Sequence, residues 1–133
     1  MKIRDPAANQ RQQALEYMKS QMGTYTALTR HDPGPFDAHE DLATAVKYCW
    51  LVIEAVPEKL DLKTSTFADL EALAPRDCIF ASNSSSFKSA ELVTKLNDET
   101  KRRVLNTHYM VNASRGTSRF DLAKRRRCHL KVS

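Results

Sequence analysis

The stretch Trp50-Leu51-Val52-Ile53-Glu54-Ala55-Val56-Pro57-Glu58, an amphipathic segment, and then Ile79-Phe80-Ala81 with Ser82-Asn83-Ser84-Ser85-Ser86 decides how this chain folds. Each apolar run is short and is closed by polar, turn-forming residues, while the segment between them repeats its apolar residues at helical spacing. Strand, turn, helix, strand, polar turn is the grammar of a βαβ unit and therefore of a parallel sheet. Ligands of open parallel sheets bind beyond the carboxyl ends of the strands, where both polar turns fall.

Working outward, Pro57-Glu58 opens the intervening helix, whose Leu60, Phe67, Leu70 and Leu73 face inward and which closes near Ala74-Pro75. A helix carrying Phe87, Ala90, Val93 and Leu96 follows the serines, with Ser86 placed to cap it. Asn97-Asp98-Glu99-Thr100 makes a turn, and residues 103–109 read as a third strand. Upstream, Lys2 to Asp5 reads as the end of a strand. Asp5-Pro6 then starts a long helix, with Asp as N-cap, Pro at the first helical position, and Leu15, Met18, Met22 and Tyr25 as its apolar stripe. Gly23 weakens or ends the regular part of that helix, and His31-Asp32-Pro33-Gly34-Pro35 is a loop. Asp37-Ala38-His39-Glu40 has the form of a capping box opening a short helix through Leu42, Ala45 and Val46. Past Met110 the pattern stops.

With 133 residues, 41% of them hydrophobic, there is material for a single core and not for two full domains. No apolar run approaches the roughly 20 residues that cross a bilayer, and the N-terminal residues lack a signal peptide's hydrophobic segment. The expectation is no membrane association and a cytoplasmic location, with mitochondrial and peroxisomal locations left open. Cys49, Cys78 and Cys128 have no metal-ligand spacing, so reduced thiols and no metal site are expected. The segment from Val111 onward holds seven Lys or Arg against Asp121 alone, a net of +6. Set against +5 for the whole chain, that leaves −1 for residues 1–110. The body is close to neutral, and nucleic acid is not an expected partner.

Each candidate residue has an ordinary reading beside a chemical one. Asp5 at a strand-to-helix junction is either a helix cap or a carboxylate for a ribose hydroxyl. Glu58 suits the first turn of a helix, where the dipole favours an anion, and Lys63 reads as a solvated surface lysine. Together they could instead set an acceptor and a cation beside the mouth of the sheet. The serine cluster is good turn chemistry, and no Gly-x-Ser-x-Gly elbow surrounds it. His108 sits at the end of the third strand; imidazole titrates near neutrality and suits proton abstraction, given an acid to orient it. The only acid after Glu99 is Asp121.

The ordered run Val52-Ile53-Glu54-Ala55-Val56-Pro57-Glu58, with Leu60, Lys63 and Phe67, then Ser82-Asn83-Ser84-Ser85-Ser86 and His108-Tyr109, closely resembles the NAD-binding domain of 3-hydroxyacyl-CoA dehydrogenases, most of all the fungal branch. The resemblance covers about residues 2–110. It implies an α/β fold, a partial Rossmann-type doubly wound parallel sheet, and an enzyme that oxidises the 3-hydroxyl of an acyl-CoA in fatty acid metabolism while hydride passes to NAD. It gives Asp5 the ribose role and sets Glu58 and Lys63 near the nicotinamide half of the cofactor. Ser85 would hydrogen-bond the reacting oxygen, and His108 would be the general base. Members of the family are often homodimeric through a C-terminal domain.

The departures from the family are specific. The three glycines form no Gly-x-Gly-x-x-Gly turn, and the family's first strand has no counterpart here. The family's imidazole partner, a glutamate about a dozen residues past the histidine, is replaced by Phe120. The helical C-terminal domain has no counterpart either, and residues 111–133 read as a basic, irregular tail from an altered reading frame or retained intron. The expectation is an NAD-binding domain over residues 1–110, truncated at both ends, with weak or no activity. With the sheet's central first strand missing, it should also be marginally stable. A non-enzymatic interaction module, using an exposed sheet edge or the Lys124 to Arg127 cluster, is the alternative.

Overall fold

The computed structural model of the chain describes residues 1–111 and 118–121. The chain divides into two compact units, Met1–Tyr48 and Cys49–Ser133.

In the first unit, β1 (Lys2–Arg4) leads through α1 (Ala8–Thr29) to β2 (Asp37–His39), which lies parallel to β1 with Ile3 opposite Ala38. The predicted strand before Asp5 is present, but the segment read as a capping box at Asp37 is a strand. Its backbone groups are used in the β1 ladder, and α2 (Leu42–Val46) starts later, where Asp41 accepts from the Thr44 amide at 2.7 Å. The α1 helix also starts later than predicted, with Ala7 as its N-cap. Asp5 Oδ1 accepts from the Ala7 amide at 2.8 Å and so turns the chain just ahead of the helix. Nor does Gly23 end it. The helix runs on to Thr29 and stops where Arg30 takes the left-handed conformation at φ 57° and donates its amide to Thr26. Of the predicted stripe, Leu15 and Met18 are half-buried, whereas Met22 and Tyr25 are exposed.

In the second unit, β3 (Leu51–Glu54), β4 (Ile79–Ser82) and β5 (Val104–Asn106) form a parallel ladder in that order, with α3 (Leu60–Leu73) crossing from β3 to β4. Leu51 stands opposite Ile79 and Glu54 opposite Ser82, while Ser82 also faces Asn106, so the three strands end level. This is the predicted parallel α/β arrangement, here as a sheet of three strands. Phe67 and Leu70 of α3 bury completely with Phe80 of β4, the two rings 6.3 Å apart and tilted by 58°. Leu73, predicted inward, is exposed at the helix end.

After the serines, α4 (Ser89–Leu92) buries Leu92 and leaves Ala90 exposed, which shifts the predicted apolar face. Ser86 does not cap it. Ser84 Oγ accepts from the Ser86 and Phe87 amides, and the Lys88 amide donates to Glu91. The predicted turn at Asn97 is a short helix, α5 (Asp98–Lys101), capped by Asn97, whose side chain accepts from the Thr100 amide at 2.8 Å. The third strand divides at Thr107, whose amide and hydroxyl both donate to Ser82 O. Beyond it β6 (His108–Val111) pairs antiparallel with β7 (Ser118–Asp121), a strand in a segment where the sequence showed no pattern. The Lys124 to Arg127 cluster lies outside the described residues. Among the described residues no helix is long and apolar enough to cross a membrane.

Candidate cofactor site

The level carboxyl ends of β3, β4 and β5 gather the polar residues of the second unit. At the end of β3, Glu54 lies in an apolar run with its side chain fully buried, so its charge must be met by partners. Lys63, one turn into α3, meets it: Nζ lies 2.9 Å from Glu54 Oε1, 3.0 Å from Val56 O and 3.1 Å from Glu58 Oε2. The other Glu54 oxygen accepts from Ser82 Oγ at 2.7 Å, and the Val56 amide donates to Oε1 at the same distance. Ser82 Oγ in turn accepts from the Ser84 amide at 3.1 Å, and Ser84 Oγ donates to Glu58 Oε1, which also takes the Ser86 amide at 3.0 Å.

The path closes on itself: Glu58, Lys63, Glu54, Ser82, Ser84 and back to Glu58. Only Glu58 reaches solvent, with its side chain 37% exposed. The Ser84 hydroxyl above all, then Lys63 and the Ser86 amide, hold its carboxyl at about 2, far below the ordinary glutamate value. Burial pushes the Lys63 ammonium down, but the hydrogen bonds it donates to Glu54 and Glu58 more than offset this and leave its pKa above the usual lysine value. Two carboxylates against one ammonium give the ring a net charge of −1.

The predicted site residues fall out as follows. Glu58 and Lys63 come together, but Lys63 is not the solvated surface lysine of the ordinary reading. It is 1% exposed, and its donors are committed to Glu54, Glu58 and Val56 O. Ser85 lies on the same turn, exposed, and its hydroxyl makes no hydrogen bond among the described residues. Asp5 directly follows β1 in the first unit, half-buried, where its amide donates to His39 O at 3.2 Å. His108 opens β6 opposite Asp121 in the ladder, and its side chain lies outside the described residues.

Sequence reasoning passed over Glu54, Ser82, Ser84, Asn106 and Thr107. Glu54 carried a signal, since a carboxylate inside an apolar strand requires a buried partner and Lys63 stands nine residues on. Asn106 carried none. Its Nδ2 ties the serine turn to β5 by donating to Phe87 O at 3.0 Å, and its Oδ1 is buried without a partner among the described residues.

Residues 2–115 match the family described as 3-hydroxyacyl-CoA dehydrogenase, NAD binding domain. The chain is 41% identical over 61 residues to the glyoxysomal fatty acid beta-oxidation multifunctional protein MFP-a of Brassica napus, which covers 44% of this chain and 8% of that protein. It is 38% identical over 61 residues to a probable 3-hydroxyacyl-CoA dehydrogenase of Caenorhabditis elegans, covering 46% of this chain and 20% of the relative. A solved diketoreductase superposes with a TM-score of 0.70 at 29% identity, covering 90% of this chain and 44% of that one. The chain thus spans a small part of the curated relatives it matches.

Proposed function

The chain belongs to the 3-hydroxyacyl-CoA dehydrogenase NAD-binding-domain family, and on that premise we propose that its second unit carries the nicotinamide-side half of an NAD site serving oxidation of the 3-hydroxyl of an acyl-CoA. The observation that carries this reading is Glu58, a partly exposed carboxylate kept ionised at the carboxyl ends of parallel strands, which accepts from the Ser84 hydroxyl and the Ser86 amide on either side of the exposed Ser85. An ionised carboxylate accepts hydrogen bonds from ribose hydroxyls, so the residues present fit the group.

Bound NAD would supply the hydride acceptor. In this reading Glu58 orients the cofactor through its ribose, and Lys63 holds Glu58 from below without touching the ligand. Ser85 donates a hydrogen bond to the 3-oxygen of the acyl-CoA, and His108 takes the proton from that oxygen. Asp5 keeps the adenosine ribose role, with one oxygen on the Ala7 amide and the other left for a hydroxyl. The cytoplasm remains the proposed compartment, and pairing of two copies through a further domain remains the proposed assembly of the intact enzyme.

Because these residues include no glycine-rich phosphate turn, and Phe120 stands where the family has its glutamate, turnover by this chain alone is weak or absent. An unassisted base costs roughly 100- to 10,000-fold. The test is fluorescence titration of the 133-residue chain with NADH, alongside NADH production from a 3-hydroxyacyl-CoA and NAD⁺. Saturable binding supports the reading, and no binding at millimolar NADH overturns it.

A further inference from the structure

We propose that Glu54 is the positioning residue of this site: from one oxygen through Lys63, and from the other through Ser82, it sets the Glu58 carboxylate and the serine turn in one fixed arrangement. The inference rests on the reading of Glu58 as a cofactor contact. It goes further by assigning a task to a buried residue that touches no ligand.

The ring's construction argues for that task. A buried ion pair is a poor stabiliser, because an apolar pair of similar volume is often as stable or more so. Here the pair is continued outward in both directions. Lys63 spends its donors on Glu54, Glu58 and Val56 O, all at the end of β3. Glu54 spends its second oxygen on Ser82, and Ser82 passes the constraint to the Ser84 amide. Ser84 closes the ring on Glu58. Four members are buried and one is presented to solvent. A structural bridge alone has no need of an exposed carboxylate at its end, whereas a binding site does.

The ionisable groups facing Lys63 are Glu54 from β3 and Glu58 from the turn. Removing the first by Glu54→Gln leaves a buried ammonium with a single, partly exposed counter-ion, and burial then favours its neutral form. The experiment uses the 133-residue chain labelled with ¹³C at the glutamate carboxyls, titrated from about pH 6 to about pH 10 with NADH affinity measured alongside.

In the wild-type chain the Glu58 signal and the affinity stay flat. In Glu54→Gln the Glu58 signal inflects within that range as Lys63 loses its proton, and NADH affinity falls at least about tenfold through the same inflection. A folded Glu54→Gln chain with a flat signal, or with an inflection that the affinity ignores, overturns the proposal. If the wild-type chain binds no NADH, the cofactor reading fails, and the inflection by itself upholds or overturns the Glu54 assignment. If Glu54→Gln does not fold, the Glu54→Gln/Lys63→Met chain removes both buried charges and decides: affinity at least about tenfold weaker upholds positioning, and wild-type affinity overturns it.

Discussion

Lys63 Nζ lies 2.9 Å from Glu54 Oε1 and 3.1 Å from Glu58 Oε2, with the Lys63 side chain 1% exposed and that of Glu54 fully buried. One cation therefore joins a carboxylate that never meets solvent to one that does. The desolvation cost of the pair is met only while all partners are present, which makes the site sensitive to single substitutions.

Lys63→Met strips Glu54 of its counter-ion in the interior. The loss expected is about 3–5 kcal/mol in urea denaturation, with Glu54→Gln/Lys63→Met recovering much of it. Equal stability of the single variant and the wild-type chain would show that the pair is not closed in solution.

Glu58 links stability to pH. Its folded-state pKa of about 2 lies below the ordinary value of 4.5, so the stability it confers is fully present above pH 4.5 and is lost as pH falls toward 2. Thermal melts of the wild-type and Glu58→Gln chains should differ by a constant amount above that point and converge in acid. A difference that grows in acid would have the wrong sign.

Ser84 and Ser85 are neighbours with opposite duties. Ser84→Ala leaves the Ser86 and Phe87 amides and the Glu58 carboxylate short of a partner and should cost about 1–3 kcal/mol. Ser85→Ala, at an exposed position with no hydrogen bond among the described residues, should change stability by less than about 0.5 kcal/mol while lowering whatever turnover the chain shows. Chemical denaturation of the two variants separates them.

Helix α1 buries none of its residues, whereas α3 buries Lys63, Thr64, Phe67 and Leu70. Hydrogen exchange should therefore find α1 amides weakly protected and α3 amides protected most strongly. Equal protection would mean that α1 is covered in solution.

The legible part of the sequence was the part governed by short-range rules. The strands β3 and β4 announced themselves by apolar runs closed with polar turns, and α3 by Phe67 and Leu70 at helical spacing. Asp37–His39 was misread because an Asp-x-x-Glu pattern fits a cap as well as it fits a short strand, and only the parallel partner Lys2–Arg4 chooses between them. Gly23 was overweighted, since one glycine costs a helix only about 1 kcal/mol and flanking turns can carry it. Glu58, Lys63 and Ser85 were named as candidates through the family resemblance, with which their order and spacing agree. The ring that joins the first two was not, because Glu54 to Ser82 is a contact across 28 residues that a linear pattern does not contain.

The most direct test of the account is NADH titration of the 133-residue chain and its Glu58→Ala variant under one condition near neutral pH. The expected result is saturable binding by the wild-type chain and affinity weaker by at least about tenfold in the variant. No saturable binding by the wild-type chain, or equal affinity in the two, would contradict the assignment of this crevice to a nicotinamide cofactor.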